Sequence, residues 1–286
     1  MGFELDRKKM YTMPVGFGPT PGMMQNADGR RFLYGQLRHV TNHTLVYESN
    51  PAQLEKLLPP AFTLDKPFVI VNHRMNRNLA WLAGRGYNLV SVTIPATFHG
   101  KKETVKGCFM VAIWENEFDP ILAGREQLGY VKTFAAIDDI VTYNDVSRAY
   151  ASSYGFQFVR LKFHLTRQPD NVAELKSILF DPENQGDMNY RYIPKTGDGF
   201  TAADVECITL NPSKIKYPDD VTATLPEPVV TYGTGWLKWN RPEFEDMPTQ
   251  YHIIQGLDDM EIRRFVGAVR VDTANLADCF DVRVIE

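Results

Sequence analysis

Residues 124–134 have the sequence Gly-Arg-Glu-Gln-Leu-Gly-Tyr-Val-Lys-Thr-Phe, which places one lysine, Lys132, in an apolar run typical of a β-strand. Because side chains alternate along a strand, one face is predicted to carry Tyr130, Lys132, Phe134 and Ala136. If this face lies inside the protein, the amine of Lys132 loses its water, and desolvation disfavours the charged ammonium. An uncharged lysine amine condenses with carbonyl groups, so the run contains a candidate nucleophile.

The same run is compatible with a lysine that faces solvent. Lysine is seldom fully buried, and an exposed strand lysine protects a sheet edge against aggregation. On the local pattern alone, the exposed position is favoured over the nucleophile. The choice between them depends on the rest of the chain.

Composition excludes several classes of function. The chain has 286 residues, of which 44% are hydrophobic, and this is enough to bury a substantial core. Its net charge of -4, with both signs interspersed, argues against a nucleic-acid partner. The N-terminus lacks the apolar core of a signal peptide and no run approaches the length of a membrane span, so we expect a cytoplasmic protein without a membrane partner.

Metal and redox chemistry are not predicted. The three cysteines, Cys108, Cys207 and Cys279, lie far apart and lack the close spacing of zinc or redox motifs. His39 and His43 are four residues apart, but the surrounding β-branched run predicts a strand, on which the two rings would not converge. We therefore expect neither a metal site nor a cofactor.

Runs of β-branched and aromatic residues separated by turn signals predict strands at 67–72, 87–98, 107–114, 155–165, 204–210, 228–232 and 265–271. Few helices are predicted, namely 50–59, 171–180 and 257–264. The fold class is therefore mainly β (α+β), a single closed antiparallel β-barrel or cone with a few helices packed outside.

Proline and glycine divide the chain further. The segment 1–30 is rich in both and is predicted to be an extended N-terminal arm, with residues 31–286 forming one barrel domain. The segment 181–200 carries two prolines and three glycines and is predicted to be a long loop.

Two regions of the chain resemble the acetoacetate decarboxylase superfamily. Gly124-Arg125-Glu126, followed four residues later by Tyr130-Val131-Lys132, resembles the family's Gly-Arg-Glu and Tyr-Pro-Lys signature. The segment 46–69 resembles its early strand, helix and Leu-Pro turn. The resemblance spans roughly residues 30–140, and it implies a cone-shaped barrel, a homo-oligomer and a Schiff-base lysine at Lys132.

The chain also departs from the family pattern. Thr133 stands where the decarboxylases have a second lysine, and Val131 replaces the proline. Val40, Asn72 and Leu89 align with positions where the family has carboxylates and an arginine. A reactive lysine can be activated by burial in an apolar pocket or by a neighbouring cation, and acetoacetate decarboxylase is the established example. Because the second lysine is absent here, we expect Lys132 to be activated mainly by burial.

The resemblance implies a carbon–carbon lyase that acts on a small keto acid, most simply by decarboxylation of a β-keto acid. A pyruvate aldolase-dehydratase using the same lysine and a barrel that binds a hydrophobic ligand without chemistry are the alternatives. Glu117 and Tyr232 are further candidate acids. The predicted catalytic residues are Lys132, Glu126 and Arg125. The predicted substrate-binding residues are Tyr130, Phe134, Met110, Trp114 and Tyr232.

Overall fold

The computed structural model describes residues 3–26, 28–31, 37–197, 201–215, 217, 219–222, 224–276 and 279–286. Within these residues the strands are β1 Arg38–Glu48, β2 Phe62–Leu64, β3 Phe68–Arg77, β4 Tyr87–His99, β5 Thr104–Glu115, β6 Lys132–Phe134, β7 Ala136–Ile137, β8 Val141–Tyr143, β9 Val146–Ser153, β10 Phe156–His164, β11 Gly186–Pro194, β12 Ala203–Pro212, β13 Val229–Trp239, β14 Arg264–Asn275 and β15 Arg283–Ile285. The α-helices are α1 Pro51–Glu55, α2 Phe118–Ala123, α3 Val172–Leu179, α4 Asp219–Thr222 and α5 Tyr251–Asp258.

The strands form one large sheet, in the order β15-β12-β11-β5-β4-β3-β1-β14-β13-β10-β9-β7, with β2, β6 and β8 pairing beside this path. The prediction of a closed barrel is wrong, because β15 and β7 end the order and do not pair with each other in the described residues. Pairing is also not wholly antiparallel, since β5 runs parallel to both β6 and β11. Alternation within strands predicts which face is buried, but it does not specify whether the outermost strands meet.

The mainly β character and most strand positions are confirmed. β4 is buried along nearly its whole length, which fits its run of alternating and β-branched apolar residues. Its side chains contribute to a core that includes Leu45, Trp114, Phe158 and Leu161, each without appreciable solvent exposure. This core lies on one side of β5, and the opposite side of β5 faces the candidate site described below.

Two of the predicted helices are confirmed. The side chain of Asn50 accepts a hydrogen bond from the backbone of Ala52 at 3.0 Å at the start of α1, and Asn171 caps α3 in the same way. The helix predicted at 257–264 is displaced, because Arg264 already begins β14. The actual helix, α5, precedes it and buries Ile254 and Leu257 one turn apart.

The long loop predicted at 181–200 is wrong for most of its length, because β11 occupies Gly186–Pro194. Gly186, with a φ of 144°, begins this strand, and Pro194 ends it. The turn-forming residues therefore mark the ends of a strand. Residues 198–200 of the predicted loop lie outside the described residues.

The N-terminal residues contribute to the interior. Residues 3–26 contain one short 3-10 turn, Val15–Phe17, and otherwise no regular structure. Met23 is nevertheless buried, and its carbonyl accepts a hydrogen bond from the backbone of Cys279 at 3.1 Å. In the described part of the chain, no helix has the length and apolar character needed to cross a membrane.

Candidate active site

The backbone before Lys132 makes two sharp changes of direction. α2 continues into a π-helical turn over Gly124–Leu128, and Gly129 follows in the left-handed region with a φ of 85°. The chain then enters β6, which pairs in parallel with the end of β5 so that Lys132 lies beside Ile113. This path turns the lysine side chain back toward α2 and β5.

The amine of Lys132 is buried and held by polar partners. Only 4% of the side chain is exposed. Nζ donates a hydrogen bond to the carbonyl oxygen of Pro120 at 3.0 Å and lies 2.9 Å from Oε1 of Glu115. The ring centroid of Tyr130 is 5.3 Å from Nζ, within the range of a cation–π contact.

Glu115 is a candidate functional residue that the sequence did not indicate. The Glu115 side chain is fully buried because β6 pairs with this end of β5. Burial raises the pKa of the Glu115 carboxyl above its ordinary value, and the positive charge of Lys132 only partly offsets this. A buried lysine requires a counter-charge, so the prediction that Lys132 is buried also implies a buried acid close to it.

Gly124 provides the space that the lysine occupies. A Cβ at this position would lie 2.5 Å from Cδ and Cε of Lys132 and 2.7 Å from Nζ, closer than van der Waals contact allows. The atoms that would have to move are the flexible end of the lysine side chain. An alanine here is therefore expected to displace the amine while leaving the backbone intact.

We predict that Gly124→Ala slows covalent trapping of Lys132 by a carbonyl compound about 100-fold, because displacing a reacting group by about 1 Å has effects of this size. Thermal unfolding should change little. The matched control is Gly256→Ala, since a Cβ at Gly256 meets nothing within 4 Å. Equal trapping rates in the two variants would show that Lys132 does not depend on this space.

Lys132 and Glu115 lie in the wall of a cavity with a volume of about 150 Å³. Its apolar lining includes Met23, Leu79, Leu89, Met110, Ile113 and Leu128. Its polar lining includes Asn72, Arg74, Ser91, Thr93, Asp187 and Asn211. The cavity is large enough for a small organic acid, and the lysine amine meets it beside a carboxyl group.

Comparison with known proteins identifies the family. The sequence matches the family model "Acetoacetate decarboxylase (ADC)" over residues 12–278. The chain belongs to the acetoacetate decarboxylase family. No curated protein matches the sequence.

Solved structures share the fold of this family member at low sequence identity. Acetoacetate decarboxylase from Legionella pneumophila superposes with a TM-score of 0.60 and 16% identity over 88% of each chain. An acetoacetate decarboxylase-like enzyme from Sphingomonas wittichii has a TM-score of 0.59 and 16% identity over 88% of this chain and 95% of its own. The enduracididine biosynthesis enzyme MppR, complexed with the condensation product of pyruvate and imidazole 4-carboxaldehyde, has a TM-score of 0.56 and 12% identity over 92% and 95%.

Of the predicted substrate-binding residues, the structure places Met110 and Tyr130 in the cavity wall with Lys132. Trp114 lies elsewhere, because it projects from the opposite face of β5 into the core and donates a hydrogen bond to Gln250 at 2.6 Å. Consecutive residues of a strand point to opposite faces, so Trp114 and Glu115 cannot share the cavity.

Phe134 and Tyr232 are also outside the cavity. Phe134 is 54% exposed, because β6 is only three residues long and Tyr130 precedes it in a turn, so the predicted alternation from 130 to 136 does not hold. Tyr232 is half-buried on β13, where Nζ of Lys176 lies 5.1 Å from its ring centroid. Neither side chain lines the cavity at Lys132.

The predicted catalytic pair Arg125 and Glu126 does not face the amine. Arg125 is exposed, and its Nη1 donates to the backbone carbonyl of Lys132 at 2.9 Å. Both residues line a separate surface depression, where Arg191 donates to the backbone carbonyl of Glu126. Glu117 accepts a hydrogen bond from the backbone of Phe118 at the start of α2. These residues fix the backbone around the site.

The departures from the family pattern have visible consequences. Thr133, in the place of the second lysine, donates its hydroxyl hydrogen bond to the carbonyl of Ile113 at 3.3 Å. Asn72 and Leu89 line the cavity, whereas Val40 is buried in strand β1. In the described residues, no cluster of three histidine, cysteine or acidic side chains could hold a metal ion.

Proposed function

We propose that this family member is a carbon–carbon lyase that decarboxylates a small β-keto acid through a Schiff base on Lys132. The observation that supports the proposal is the position of Nζ, which is buried at the cavity wall 2.9 Å from a carboxyl oxygen of Glu115. A buried lysine that served only as a structural counter-charge would not require a neighbouring cavity. Here the amine, the acid and the space for a ligand meet at one point.

Glu115 can supply the proton transfers that Schiff-base formation requires. Its carboxylate accepts a proton from the ammonium of Lys132, and the neutral amine adds to the ketone carbon of the substrate. The resulting carbinolamine hydroxyl takes a proton from the Glu115 carboxyl and leaves as water. Because burial raises the pKa of Glu115, the carboxyl returns this proton less readily to bulk water than an exposed glutamate would.

The iminium then accepts the electron pair of the breaking bond. The substrate carboxylate leaves as carbon dioxide while its carbon–carbon bond electrons form an enamine. Protonation at carbon regenerates the iminium, and water releases the ketone and the free amine. The ring of Tyr130 lies beside the nitrogen and favours the cationic iminium.

The hydroxyl of Tyr130 is a second candidate proton donor. Burial raises the pKa of this phenol well above its ordinary value, so it stays protonated at any working pH. Asn211 donates a hydrogen bond to the phenol oxygen, which leaves the phenol proton available for a substrate group. Tyr130 therefore combines a cation-stabilising ring with a neutral acid.

Reductive trapping tests the proposal directly. Incubation with acetoacetate, pyruvate or 2,4-pentanedione, followed by borohydride reduction, is expected to add the corresponding mass to the peptide that contains Lys132. Exposed lysines such as Lys238 serve as internal controls, because their amines lie in solvent on the outside of the sheet and not at the cavity. Modification only at exposed lysines would overturn the proposed function, and it would favour the alternative of a protein that binds a hydrophobic ligand without chemistry.

A pyruvate aldolase-dehydratase is the second candidate, and the polar cavity lining is the observation that favours it. Simple decarboxylation requires few polar groups, whereas aldol condensation and dehydration need several proton transfers and a site for a retained carboxylate. Ser91, Thr93 and Asn211 could serve such transfers. Carbon dioxide release from acetoacetate, measured against enone formation from pyruvate and an aldehyde, separates the two reactions.

A further inference from the structure

The cavity at Lys132 adjoins a second cavity with a volume of about 320 Å³. The residues that line both are Arg38, Arg74, Asp187, Asn211 and Cys279. The second cavity also contacts the end of β14 at Asn275. The space available to a ligand therefore extends from the lysine past two arginines.

Within the described residues, neither of the two guanidinium groups forms a close ion pair, although the charge of Arg74 acts on both Glu115 and Asp187. In the described residues, neither Arg38 nor Arg74 has a carboxylate oxygen within 4.0 Å, and the Nε of Arg74 is buried without a hydrogen-bond partner. The Nε of Arg38 donates to the side-chain oxygen of Asn275 at 3.1 Å. Burial, and then the positive charge of Arg74, lower the pKa of Arg38. Two like charges in one wall therefore destabilise each other until an anion binds.

Asp187 does not neutralise this charge fully. It lies in the wall of both cavities, but burial raises the pKa of its carboxyl, and the nearby Arg74 offsets this only in part. An acid that holds its proton more strongly contributes less negative charge at neutral pH. Glu115, the other carboxyl that acts on Arg74, is paired with Lys132, and burial raises its pKa as well. The arginine end of the cavity thus keeps a positive charge that a ligand anion can balance.

The chemistry of decarboxylation indicates which anion belongs there. The reacting carboxylate loses its charge as carbon dioxide forms, so a guanidinium ion pair would stabilise the ground state more than the transition state and slow the reaction. An arginine pair therefore suits a carboxylate that survives the reaction. Lys132 lies on β6 and Arg74 on β3, and these two strands are separated by β5 and β4. At the usual strand spacing, their backbones are ~14 Å apart across the sheet. A chain of several atoms fits between the two side chains.

We infer that the substrate is a keto dicarboxylic acid, with its ketone at Lys132 and a second, unreactive carboxylate bound by Arg38 and Arg74. This inference rests on the proposed function and names its substrate class. In 3-oxoadipate, the C1 carboxylate is bonded to C2, next to the C3 ketone, and it leaves as carbon dioxide. The electrons of the C1–C2 bond pass into the iminium to give an enamine, and one proton then adds to C2. The products are 4-oxopentanoate and carbon dioxide, and the distal carboxylate is unchanged.

A matched pair of substrates tests the inference. 3-Oxoadipate and 3-oxohexanoate have the same chain length and differ only in a terminal carboxylate or methyl group. We expect kcat/KM for carbon dioxide release, corrected for spontaneous decarboxylation, to favour 3-oxoadipate about 100-fold, the size of a charge-assisted bidentate contact. Arg74→Met and Arg38→Met should each reduce this ratio at least tenfold, and Arg74→Lys should restore part of it. Arg160→Met, on the exposed face of β10, should leave both substrates unaffected.

Trapping with non-reacting ketones separates this inference from the proposed function. 4-Oxopentanoate and 2-pentanone form Schiff bases without losing carbon dioxide, so borohydride reduction reports binding at Lys132 alone. Preferential trapping by 4-oxopentanoate, lost in Arg74→Met, supports the arginine site. Equal trapping by both ketones, with no effect of either arginine variant on the ratio, overturns the inference while leaving the Schiff-base function intact. No trapping by any ketone overturns both.

Discussion

Replacing Lys132 with methionine is expected to reduce carbon dioxide release to the spontaneous rate, a loss of more than ~10⁴-fold, because removal of a covalent nucleophile eliminates the entire pathway. Methionine fills the buried volume that the lysine leaves, so the cavity wall keeps its shape. Release of carbon dioxide from the preferred keto acid is measured against an enzyme-free blank. The reduced-adduct mass at residue 132 should disappear in parallel.

The control for this substitution is Lys238→Met, which removes a strand lysine that faces solvent. Loss of Lys132 leaves Glu115 buried without its counter-charge, and the raised pKa of this carboxyl allows it to stay protonated and neutral. Should Lys132→Met nevertheless unfold, the double variant Lys132→Met/Glu115→Leu removes the charge problem. Residual activity above the blank in a folded variant would contradict the proposed role of Lys132.

The sequence was sufficient to predict the family, the mainly β class and most strands, because these depend on local patterns of apolar and turn-forming residues. The ordered match of its motif also selected Lys132 as the candidate nucleophile; the structure places this lysine at a cavity wall, and its catalytic role stays a prediction. The confirmed family membership rests on residues 12–278, a longer span than the initial resemblance. The arm at residues 1–30, the homo-oligomer and the cytoplasmic location stay predictions.

The site around the lysine could not be predicted in the same way. Glu115 comes from β5, Arg74 from β3 and Asp187 from a strand that was expected to be a loop. Their proximity arises from pairing between strands that are distant in sequence, including the parallel pairings of β5 with β6 and β11. Local alternation specifies only which face a side chain shares with its neighbours in the same strand.

The structure also changes the explanation of how Lys132 is activated. The sequence suggested a dry apolar interior, in which desolvation alone favours the neutral amine. Instead, Nζ has two polar partners, the carbonyl of Pro120 and the carboxyl of Glu115. A carboxylate stabilises the ammonium electrostatically, so reactivity at this site depends on transferring the proton to Glu115.

Glu115→Gln is therefore expected to lower kcat by about 10² to 10⁴-fold, the range of general acid–base catalysis, with a smaller effect on KM. Glutamine keeps the shape and polarity of the side chain but cannot accept a proton from the ammonium. The matched control is Glu117→Gln, which alters an acid two residues away that caps α2 outside the cavity. Glu115→Asp should recover part of the activity because it restores a titratable carboxyl.

The pH profile distinguishes this catalytic role from a structural one. The carboxyl must be ionised to accept the proton, so the wild-type rate should rise with pH through the pKa of Glu115, which burial places above the ordinary value of about 4.3. The glutamine variant should lack this limb, since an amide does not titrate in this range, and Glu117→Gln should retain it. A Glu115→Gln profile that keeps the wild-type shape and rate would mean that the carboxyl only balances the charge of Lys132, and that the proton is transferred elsewhere in the cavity.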